Sequence, residues 1–115
     1  MEIVSRTSEP AFEAVDDVEL THLVVGERMS VQHFHIEPGA LVPQHAHPHE
    51  QAGFIFAGEL TFLLPDDGER TVGPGESYLL AGDEPHAAEN RGEDPVRGMD
   101  VFSPPRANPD WLDET

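Results

Sequence analysis

The run His45-Ala46-His47-Pro48-His49-Glu50-Gln51 places three of the chain's seven histidines beside a glutamate and a glutamine. A strand turns successive side chains to opposite faces, so His45 and His47 share one face. At a rise of about 3.4 Å per residue their α-carbons stand about 7 Å apart, and two imidazoles on such a base can meet at one ion. The same parity carries on to His49 and Gln51 and turns Glu50 away. Alternation does not choose between His49 and Gln51. Pro48 keeps His47 extended and bends the chain just after it.

Outward from this run, short apolar stretches alternate with turn residues. Val18 to Val25, Met29 to Ile36, Ser77 to Ala81, His86 to Glu89 and Val96 to Ser103 read as strands. Gly53 to Ala57 and Leu60 to Leu64 flank Gly58-Glu59, which reads as a hairpin turn. Eleven prolines and ten glycines at this spacing leave no room for a long helix. The pattern predicts an antiparallel all-β sandwich or barrel. A single domain over residues 1–115 is expected, with a barrel at about 18–103 and a polar tail at 104–115.

Composition narrows the function. There is no cysteine, which excludes disulfides, thiolate metal sites and cysteine nucleophiles. No apolar run reaches the roughly 20 residues that span a bilayer, and the N-terminus shows no secretory pattern. A cytoplasmic protein is expected. Twenty-three acidic residues face six basic ones, all arginine, for a net charge of −17. Such a charge repels nucleic acid and anionic membranes, and its lack of lysine suits a high-salt environment in which self-repulsion is screened.

A family resemblance then orders the histidines. Gly39, His45, His47, Gln51 and Gly58 have the spacing of the first cupin motif. Gly75, Ala81, Asp83, His86 and Asn90 have that of the second, with Ala81 and Asp83 where the motif usually carries proline and glycine. The chain resembles a cupin, which implies a small β-barrel of the jelly-roll, double-stranded β-helix type. It implies one divalent transition metal held by His45, His47, Gln51 and His86. Gln51 stands in place of the motif's usual glutamate, and an uncharged set of ligands leaves the ion a stronger Lewis acid. The missing carboxylate tells against oxygen activation, since non-haem iron oxygenases commonly use two histidines and a carboxylate. Nickel, zinc, iron, manganese and copper all suit these donors. A merely solvated histidine cluster is the competing reading. His33 and His35, which also share a face, read as structural or surface groups, and His22 receives no role.

On the strand that carries Gln51, the parity turns Gly53, Ile55 and Ala57 inward, and the small Gly53 and Ala57 are expected to leave space beside the metal. Phe54 and Phe56 then face outward and call for a cover, which together with the resemblance predicts a homodimer. Asp100 and Phe102 share a face of the last strand. A carboxylate beside an aromatic inside a barrel needs a partner or a task, and near a divalent ion Asp100 suits a general acid or base. Arg106 can grip a substrate carboxylate with its planar fork, or can be a surface arginine among acids.

The stretches HPHEQAGFIFAGEL and DVFSPPR are similar to the small KdgF cupins of pectin degradation. That likeness implies a lyase or isomerase that linearises 4,5-unsaturated monouronates, with a sugar acid as the partner molecule. It implies Asp100 as the acid–base residue and Phe102 and Arg106 along the substrate. A cupin dioxygenase acting on another molecule and a non-catalytic sugar-binding cupin are the alternatives.

Overall fold

Gly, Pro and Asp recur between apolar runs too short for helices, so the backbone polar groups must be satisfied between strands. The computed structural model describes residues 1–106. After a single 3-10 turn at Arg6–Ser8 come ten strands. They are β1 (Phe12–Val15), β2 (Val18–Val25), β3 (Ser30–Ile36), β4 (Leu41–His45) and β5 (Glu50–Ala57). There follow β6 (Leu60–Leu64), β7 (Gly68–Val72), β8 (Ser77–Leu80), β9 (His86–Glu89) and β10 (Val96–Ser103). They pair antiparallel in two sheets, one ordered β1-β2-β3-β10-β5-β8 and the other β4-β9-β6-β7. This is the all-β jelly-roll barrel that the motifs implied. Among the described residues no helix is long and apolar enough to cross a membrane.

The predicted strands are present, but β1, β4 and β7 were not expected, and strand structure begins at Phe12 rather than near residue 18. One turn is corrected. Gly58-Glu59 does not close a hairpin, because β5 pairs with β10 and β8 while β6 pairs with β9 and β7. The turn carries the chain from one sheet to the other. Gly58 has φ +78° there, and a Cβ would lie 2.5 Å from the Pro95 carbonyl oxygen. Only glycine meets both demands.

Core residues come from the inner faces of both sheets. Val18, Ile55 and Val96 are wholly buried, and Phe34, Ile36, Leu60 and Phe62 pack with them. Along β5 burial alternates, with Gln51, Gly53 and Ile55 inside. Ala57 is exposed, contrary to the parity reading, because the β5–β10 register shifts between Arg97 and Gly98 and breaks the alternation before Ala57 is reached. On β10, Val96, Gly98, Asp100 and Phe102 face inward, as expected. The polar tail expected from Pro104 lies outside the described residues beyond Arg106.

Asn90 ends the second motif and is fully buried. Its amide donates to the carbonyls of Ile36 at 3.0 Å and Asp94 at 2.9 Å, and its oxygen accepts from the Gly92 amide at 3.0 Å. All its polar capacity goes into tying β3 to the turn before β10, so Asn90 is structural. Asp83, where the motif usually has glycine, adopts φ +65°, a region that aspartate tolerates better than most residues.

Candidate metal centre

Three histidines converge at one end of the barrel. His45 closes β4 and lies directly across from His86, the first residue of β9. Their ring centroids are 4.3 Å apart. His47 sits beyond β4 in the connection to β5, 5.5 Å from the His45 ring and 5.3 Å from that of His86. Parity therefore does not account for His47, which no strand holds. The connection itself holds it, because the His47 carbonyl accepts the Asp83 amide at 2.6 Å and Gly82 packs against Pro48.

Each ring is oriented by a backbone carbonyl two residues away. Nδ1 of His45 lies 2.9 Å from the Pro43 oxygen, that of His47 3.0 Å from the His49 oxygen, and that of His86 2.8 Å from the Glu84 oxygen. A carbonyl only accepts, so each Nδ1 carries the proton. Burial holds the His45 imidazole down at about 4 and lowers those of His47 and His86, with the Arg106 charge pushing the same way. At neutral pH the rings are uncharged, and Nε2 is left as a lone-pair donor in all three. One ligand atom from each lies within 4.8 Å of the others. Nε2 of His86 is buried with no hydrogen-bond partner, an arrangement that costs about 1–3 kcal/mol unless something else accepts the lone pair.

Gln51 completes the cluster. Its Oε1 stands 3.1 Å from Nε2 of His47. In the tautomer fixed by the His49 carbonyl this is an approach of two lone pairs and not a hydrogen bond. A cation between them removes the repulsion. Two donors bound at about 2.1 Å to one ion are about 3.0–3.4 Å apart for right-angled to tetrahedral arrangements. The donor set, its tautomers and its spacing thus fit a divalent metal. His49 is not one of the three grouped histidines, although its ring lies 5.4 Å from that of His47. It contributes its backbone carbonyl to His47. His33 is buried on β3 outside this cluster, and His35 lies 2.9 Å from Glu37.

Beside the cluster a cavity of about 510 Å³ of empty space, counted out to solvent, is lined by His45, His86, Gln51, Asp100 and Arg106 on its polar side, with Phe102 beside them. Leu20, Phe34, Ile36 and Phe62 form part of its apolar wall. Asp100 is buried. Desolvation lifts its carboxyl to about 6, and hydrogen bonds from Tyr78 and Gln51 with the charge of Arg106 offset only part of that. Phe102 is 1 % exposed, with its ring 5.8 Å from that of His47. The Arg106 guanidinium lies over the Phe102 ring at 5.2 Å, and its backbone amide donates to Ser30. Arg106 is buried, so the surface reading of it does not apply.

Two groups went unrecognised in the sequence. Gln32 lines the cavity opposite Asp100, and Tyr78 donates its hydroxyl to Asp100 Oδ1 at 2.5 Å. Tyr78 occupies the space beside Gly53 that the sequence reading had left open. The inward parity of Tyr78 with Leu80 on β8 was the available signal.

A family model described as a cupin domain matches residues 32–102. Among solved structures, KdgF from Halomonas sp. superposes with a TM-score of 0.82 at 19 % identity, over 92 % of this chain and 96 % of that one. That likeness is one of fold. The polyketide cyclase RemF from Streptomyces resistomycificus superposes with a TM-score of 0.80 at 27 % identity, over 94 % of this chain and 84 % of the other. Dimethylsulfoniopropionate lyase DddQ of Ruegeria pomeroyi is 41 % identical over 49 residues, which are 43 % of this chain. The match spans only 24 % of that lyase.

Proposed function

The chain belongs to the cupin domain family, and on that footing we propose that it is a metal-dependent enzyme in which Asp100 moves protons on a small oxygen-rich substrate. His45, His47, His86 and Gln51 would hold the ion. A bound divalent ion supplies Lewis acidity toward substrate oxygens. The single observation that carries the reading is Asp100. It is a buried carboxyl with a value near 6, set in the same cavity as the neutral imidazoles of His45 and His86. A group poised near neutrality can both take and return a proton.

The substrate class that these residues support best is a 4,5-unsaturated monouronate. Arg106 offers a planar fork for the uronate carboxylate, and its seat on Phe102 fixes that fork. Asp100 takes the proton of the anomeric hydroxyl. The bond from the anomeric carbon to the ring oxygen breaks, its electron pair passing to that oxygen as an enolate while an aldehyde forms. Asp100 returns the proton to the enolate carbon, which leaves a ketone and no net change in composition. Burial of Asp100 and Phe102 excludes water from the proton in transit. The net charge of −17 opposes long-range approach of a uronate. At 1 M salt the Debye length is about 3 Å, so added salt should lower KM. A KM that climbs with salt counts against an anionic substrate.

A second reading rests on the apolar wall of Leu20, Phe34, Ile36 and Phe62. The same acid–base residue could close a ring on an apolar carbonyl chain, as a cyclase does. The deciding assay follows loss of the conjugated ultraviolet absorbance of unsaturated galacturonate and of its alginate-derived counterpart, with and without chelator. Metal-dependent decay that disappears in Asp100→Asn is expected. Full activity in that variant removes Asp100 from the mechanism, and inertness toward both sugars turns the assignment to the second reading.

A further inference from the structure

We infer that Tyr78, seated in a notch that Gly53 leaves in the sheet, is a positioning residue that holds the Asp100 carboxyl toward the metal centre. The inference rests on the assignment of Asp100 as the proton-moving residue and adds a residue to it.

The strands β8, β5 and β10 are neighbours in the larger sheet. Gly53 on β5 is directly opposite Tyr78 on one side and Asp100 on the other. Adjacent strands are about 4.8 Å apart, so Tyr78 and Asp100 start two strand spacings from each other. Tyr78 reaches the carboxyl only by laying its ring across the intervening strand. Any Cβ at residue 53 would overlap the ring at Cε1, Cζ and the hydroxyl oxygen. Glycine inside a strand weakens it and marks close approach by another group. Here the group is identified, and the hydroxyl it delivers donates to Asp100 Oδ1 at 2.5 Å.

The ring is fixed from a second side by Phe62, whose centroid is 4.7 Å away. Asp100 thus receives one hydrogen bond from Tyr78 and one from Gln51, which itself approaches His47. Two donors on separate strands hold the carboxyl in one orientation. With Gln51 alone the carboxyl can turn about its last bond, and the donor is one that the metal centre also uses. Tyr78 therefore allows Asp100 to be aimed independently of the ion.

Tyr78 is the only tyrosine of the chain, so phenol bands in ultraviolet resonance Raman spectra belong to it alone. In the full chain these bands should show a strong donor to a carboxylate, and should weaken in Asp100→Asn and in Gly53→Ala. Tyr78→Phe keeps the ring and loses the donor. It should lower kcat about 10- to 100-fold while KM and nickel affinity stay within about twofold. Should Gly53→Ala not fold, Gly53→Ala/Tyr78→Ala removes the overlap, and it should fold with the kcat of Tyr78→Ala alone. Wild-type kcat in Tyr78→Phe, an unchanged phenol spectrum in Gly53→Ala, or a double variant that stays unfolded overturns the inference. A wild type inert toward every uronate instead refutes the assigned reaction, and the phenol spectra then still decide whether Gly53 seats Tyr78 on Asp100.

Discussion

Asparagine at position 100 should make a more stable protein with no turnover. Burial raises the Asp100 carboxyl from 3.8 to about 6, which opposes the ionised form by about 3 kcal/mol in the folded, metal-free chain. The folded value lies above the unfolded one, so the folded state binds more protons between roughly pH 4 and 6. Wild-type stability therefore falls as pH rises through that window and levels off above it. Asparagine carries no such charge at any pH. It does offer one acceptor to two donors, Tyr78 and Gln51, and the mismatch returns about 1 kcal/mol. The net gain is about 2 kcal/mol at pH 8, which is about a 1 M rise in urea midpoint for a chain of this size. Urea titrations of both proteins, stripped of metal by chelator, at intervals from pH 4 to 8 measure it. About 1 M salt mutes the loss of one charge from a chain of −17. A stability gap that does not change with pH, or a variant less stable at pH 8, refutes the argument that desolvation governs Asp100.

Other outcomes follow from single contacts. His86→Ala removes one lone pair of three and should weaken nickel binding at least about 100-fold by calorimetry, and nickel should no longer raise the melting temperature. Gly58→Ala forces a side chain into positive φ and against the Pro95 carbonyl; it should cost about 2 kcal/mol or more in urea unfolding, and a cost under about 0.5 kcal/mol would contradict the geometry. We propose that two copies pair through the outer face carrying Phe54 and Phe56, which are 37 % and 50 % exposed. Ala52, Leu79, Met99 and Val101 adjoin them with no carboxylate among them. Light scattering should give twice the chain mass for wild type and one chain mass for Phe54→Ser/Phe56→Ser; a monomeric wild type rejects the pairing.

The legible part of the site was the part written in local spacing. His45 and His47 lie on one short segment, and His86 lies at the head of a strand that the apolar pattern marks. Alternation along β5 and β10 runs regularly through Gln51, Asp100 and Phe102 and turns them inward, while the roles expected of them came from the family resemblance. The same alternation failed at Ala57, where a register shift intervenes, and it misattributed His47, which a turn holds. Gly58-Glu59 was misjudged for a different reason. Turn chemistry specifies a reversal or a change of direction, but not which strand the departing segment will pair with.

By itself the sequence determined an all-β barrel and an acidic chain, and it marked the histidines that could hold a metal. Those properties depend on residue type and on spacing within single segments, where covalent geometry limits the outcomes. Only the tertiary structure decided that Arg106 folds back over Phe102, that a turn rather than a strand holds His47, and that the space beside Gly53 belongs to Tyr78. Each of those depends on which strands become neighbours. Hydrogen bonding between strands far apart in the chain sets that adjacency, and no local pattern encodes it.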